Sequence, residues 1–66
     1  MTPAEVRAAV LEVARRARTD REVAHALQDE LWLSLLRAIA DGACDDPAAC
    51  CREAAKTADL GGWWYS

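Results

Sequence analysis

Residues 23–41 form the longest apolar-rich stretch of the chain, which closes on Gly42. At about 100° per residue, Val23, Leu27, Leu31, Leu35, Ala38 and Ile39 share one broad face. Trp32, His25, Leu36, Asp29 and Leu33 continue around from that face, leaving Glu30, Ser34, Arg37 and Asp41 as the polar strip. A helix apolar over so much of its circumference is a central one, packed from more than one side. The pattern predicts it over about 20–41, with Thr19 and Glu22 as a capping box and Gly42 just past its end.

Before it, Val6, Ala9, Val10, Val13 and Ala17 make a narrow stripe at helical spacing. Thr2 caps, Glu5 reaches back, and Pro3 suits the first turn, so a helix is predicted over about 3–17. The short connection makes the first two helices antiparallel neighbours. After it, Asp46 and Pro47 open a third helix over about 47–58. Its inward stripe reads Pro47, Cys51, Ala54, Ala55 and Ala58, flanked by Cys50, with Arg52, Glu53 and Lys56 outward. Gly61 and Gly62 break the pattern ahead of Trp63, Trp64 and Tyr65. The expected architecture is all-α: a single three-helix domain over residues 1–66, with an aromatic tail folded back on the central helix.

Composition changes this picture in one respect. Hydrophobic residues make up 53% of the 66, but 15 of them are Ala, so the core is thin and a partner or self-association is expected. Leu33 and Leu11, both off their stripes, are the surface expected to serve such a contact, in a homo-oligomer or with another protein. The net charge of −3 argues against general affinity for nucleic acid or anionic membrane. The exception is one basic cluster, Arg15, Arg16, Arg18 and Arg21, which keeps a nucleic-acid-associated role as the alternative reading. No signal peptide is visible and the run Leu31–Leu36 is too short to span a bilayer. With the odd cysteine count this favours a reducing cytoplasm.

Candidate chemistry is sparse. His25 and Asp29, four apart, share a helical face and could act as an acid–base or ligand pair, although a satisfied polar pair is the simpler reading. Cys44, Cys50 and Cys51 with His25 total four zinc-ligand types, but the C-x5-C-C spacing is unlike known zinc modules. No assembled nucleophile, phosphate loop or metal constellation is apparent, so binding without a cofactor is expected rather than catalysis. The tail aromatics either finish the core or anchor a partner. The sharpest expectation joins two oddities: Asp29 accepts a hydrogen bond from a tail Trp, from His25, or from both.

The chain also resembles a family of small uncharacterised helical proteins found in bacterial and tailed-phage genomes. The resemblance rests on Val23-Ala24-His25, Asp29-x-Leu31, Leu36-Arg37-Ala38-Ile39-Ala40-Asp41-Gly42, Asp46-Pro47, Ala54-Ala55-Lys56-Thr57 and Trp64-Tyr65. Two positions depart from it. Gln28 stands where the family has the first of two adjacent acids, and Gly61-Gly62-Trp63 replaces an Asp-Phe-x-Arg stretch. The resemblance implies a phage or prophage accessory protein that engages a host or phage protein. It implies no catalytic residue.

Overall fold

The computed structural model describes residues 1–59. Three α-helices follow one another: α1 (Pro3–Ala17), α2 (Arg21–Ala40) and α3 (Pro47–Ala55), the last continuing as a 3-10 turn (Lys56–Asp59). No strand occurs among the described residues. The expected all-α three-helix architecture is the observed one.

Helix starts are set by short polar side chains. Thr2 accepts from the amide of Glu5, whose carboxylate accepts from the amide of Thr2, completing the expected capping box. Gly42, at φ +70, ends α2 in the left-handed conformation that a residue without Cβ adopts freely. The cap of α2 is Asp20 rather than Thr19. Thr19 turns its hydroxyl back to the Arg16 carbonyl, 3.4 Å away, and so belongs to the end of α1. Asp20, in extended conformation, accepts from the Val23 amide at 3.1 Å.

The main core joins Val6 and Val10 of α1, Leu31 and Leu35 of α2, and Cys50 and Ala54 of α3. A second cluster joins Val13 and Ala24, with Ala17 and Leu27 against it. The start of α1 therefore meets the far half of α2 and its end meets the near half, the antiparallel arrangement expected. The α2–α3 loop closes over Met1, whose ammonium donates to the Ala43 carbonyl while its own carbonyl accepts from the Asp45 amide.

Two faces differ from expectation. On α2 the innermost positions are Ala24, Gln28, Leu31 and Leu35, whereas Val23, Leu27, Ala38 and Ile39 are only half-buried. The face is turned so that Gln28, an amide, enters the interior. On α3 the buried positions are Cys50, Glu53 and Ala54, and Cys51, Ala55 and Ala58 face outward. The helix is rotated by about one residue, which buries Cys50 and Ala54 and sets Glu53 3.1 Å from Arg7 of α1. Its α geometry also ends early. The Lys56 amide bonds the Glu53 carbonyl, three residues back, and the Thr57 hydroxyl takes the Ala54 carbonyl at 2.8 Å.

Candidate functional site

The seam between α2 and α3 is held by a buried polar knot. Thr57 is fully buried and gives its one proton to the Ala54 carbonyl. Its lone pairs then take two donors, the Gln28 side-chain amide at 2.7 Å and the Trp32 indole N–H at 3.1 Å. The indole also reaches the Ala54 carbonyl at 3.3 Å. Gln28 is fully buried, and its amide oxygen has no hydrogen-bond partner among the described residues.

This knot fixes the Trp32 ring beside an open groove of about 230 Å³, lined by Trp32, Leu35, Leu36, Cys51, Ala54 and Ala55. Leu35 and Ala54 form the buried floor. The walls are open: Trp32 is 39% exposed and Leu36 64%. Leu33, one helical turn before Leu36, extends the apolar surface at 47% exposure. On the α3 side the lining is small, Cys51, Ala54 and Ala55, so the large α2 side chains stand proud of it. The groove is thus an apolar surface beside an aromatic ring whose position is fixed by hydrogen bonds.

The residues singled out by sequence are dispersed. His25 is half-buried and Asp29 is exposed, both on α2 before the groove. Leu33 is exposed as expected and is not among the residues that line the groove. Trp63, Trp64 and Tyr65, and with them the expected tail contact to Asp29, lie outside the described residues. Leu11, 65% exposed, borders a separate hollow on α1 with Ala14, Arg15 and Arg18. The basic cluster is partly engaged: Arg15 grips both oxygens of Glu12 at 2.7–3.0 Å, and Arg16 donates to the same carboxylate at 3.1 Å. These hydrogen bonds, from Arg15 first and Arg16 second, hold the Glu12 carboxyl below its usual pKa.

Cys50 is buried, Cys44 half-buried and Cys51 exposed; all three are free thiols. Among the described residues no three His, Cys, Asp or Glu side chains gather as a metal site. Nor is any described helix long and apolar enough to cross a membrane.

Sequence reasoning missed Trp32 and Leu36 as a pair. Their signal was present: two large apolar residues four apart, both outside the central stripe. Gln28 and Thr57 gave no comparable signal, since neither periodicity nor spacing links them. No family model, curated protein or solved structure matches this chain.

Proposed function

We propose that this protein works by binding another protein through the α2–α3 groove, without chemistry of its own. The observation that carries the reading is Trp32, pinned by two acceptors on α3 and the 3-10 turn yet more than a third exposed beside Leu36. An aromatic with its ring already immobilised loses little further conformational entropy when a partner covers it. The sequence resemblance adds the setting: a phage or prophage accessory protein, with a host or phage protein as its target. The Arg cluster is a weaker contender for function because Glu12 already engages two of its members.

The test is affinity capture from host lysate with the wild-type protein and Leu36→Asp. Leu36 is largely exposed, so its substitution leaves the fold intact, which circular dichroism checks. A protein retained by the wild type at moderate and high salt, and lost from the variant, supports the reading. Equal retention by both proteins refutes it. Nucleic-acid retention that collapses with salt would hand the function to the Arg cluster instead.

A further inference from the structure

We infer that Cys44 and Cys50 are a redox couple that closes to an intramolecular disulfide by exchange with a low-molecular-weight disulfide. Both thiols point at one atom. Cys50 Sγ donates to the Asp45 carbonyl oxygen at 3.2 Å and Cys44 Sγ donates to the same oxygen at 3.8 Å. Cys44 also packs against the core cluster that contains Cys50. Their burial differs in the way a two-step exchange needs: Cys44, half-buried outside any helix, is reachable by a small reagent, and Cys50 is sealed in the core. Cys51, the next residue, faces away into solvent and serves as an internal reference thiol.

The chemistry balances without any other group. The Cys44 thiolate attacks one sulfur of the reagent RS–SR, the S–S bond breaks, and RS⁻ leaves, giving a mixed disulfide on Cys44. Cys50 Sγ then attacks the Cys44 sulfur. The protein S–S bond forms as the second RS⁻ departs, and the two leaving thiolates carry off the two thiol protons. The protein dithiol is oxidised by two electrons and RS–SR is reduced to two RSH. Burial, reinforced by the neighbouring Cys44 thiol, pushes the Cys50 thiol up to about 11. The second step should therefore accelerate with pH across the alkaline range. Closure would staple the α2–α3 loop, and the Met1 contact it carries, to the first turns of α3.

The experiment uses Cys51→Ser, whose changed residue is exposed, treated with oxidised glutathione and followed by intact-mass spectrometry. The expected product is monomeric and lighter than the reduced protein by about 2 Da, the two hydrogens lost on closure. The glutathione adduct should appear only as an intermediate, and closure in the folded protein should outpace that in urea by roughly tenfold. In Cys50→Ser/Cys51→Ser the reaction should halt at the adduct. A persistent adduct in Cys51→Ser, no reaction, or closure no faster than in urea would overturn the proposal.

Discussion

The hydroxyl of Thr57 serves three partners at once and ties the 3-10 turn to both α2 and α3. It bonds the Ala54 carbonyl of its own helix and accepts from Gln28 and Trp32 across the seam. Removing it orphans a fully buried amide donor while leaving the indole its weaker carbonyl partner. Thr57→Val should therefore lower stability by about 1–3 kcal/mol in urea unfolding. Gln28 already carries an unpartnered oxygen, so an apolar side chain of similar shape sacrifices less there. The double variant Gln28→Met/Thr57→Val is expected to be more stable than Thr57→Val alone. If the second change instead made matters worse, the knot would be acting through the amide oxygen rather than through the donors.

At the scale of elements, the start of α3 carries an exposed conformational tension. Asp46 caps it by accepting from the Ala49 amide at 3.2 Å, but does so at φ 52, in the left-handed region. Asp tolerates that region better than residues lacking a short polar side chain. Asp46→Ala loses the cap and keeps the strain, and should cost roughly 2–4 kcal/mol. Asp46→Asn retains both properties and should stay near wild type, with thermal unfolding giving the comparison. The caps also illustrate what could be read in advance. Thr2, Glu5, Pro3, Pro47 and Gly42 mark boundaries through local chemistry, and α1 has one valine stripe that leaves a single orientation open. α3 offers no such contrast. Its Ala and Cys residues lie all round the helix, so its rotation is fixed by tertiary packing, the burial of Cys50 and Ala54 and the contact of Glu53 with Arg7, 46 residues away in sequence. The groove followed from that rotation, since turning α3 by one position brings Cys51 and Ala55 into its wall. It was illegible for the same reason.

For the molecule as a whole, three shifted groups bound the pH range of stability: Glu12 and Glu53 on the acid side and Cys50 on the alkaline side. The Glu53 carboxylate, gripped by Lys56 first and Arg7 second, has its pKa held below 4.5. It binds a proton less readily folded than unfolded, so its contribution is present above 4.5 and is lost as pH falls through the lowered value. Cys50 has the opposite sign as an acid whose pKa is raised from 9.0 to about 11. Its neutral form is favoured in the core, so stability holds below 9.0 and declines as pH rises towards about 11. Urea midpoints measured across pH should fall at both ends. Glu53→Gln should make the acid limb shallower, with the Glu12 contribution remaining, and Cys50→Ala should flatten the alkaline one, each leaving the other limb in place.

α3 contains only nine α-helical residues. A segment of that length is marginal as a free helix in water, so its order comes from docking rather than from its own propensity. α1 and α2 are longer, adjacent in sequence and joined by a tight connection, which makes their pairing the low-entropy first step of assembly. The chain should then mature by condensation of α3 onto a preformed helical hairpin. In native-state hydrogen exchange, amides of α3 are expected to open through a partial unfolding unit, at lower free energy than the innermost amides of α2. Uniform protection across α2 and α3 would make the fold one indivisible cooperative unit. The α2–α3 groove would be erased in that partially open form, so the binding role proposed for it would draw on the same equilibrium as the docking of α3.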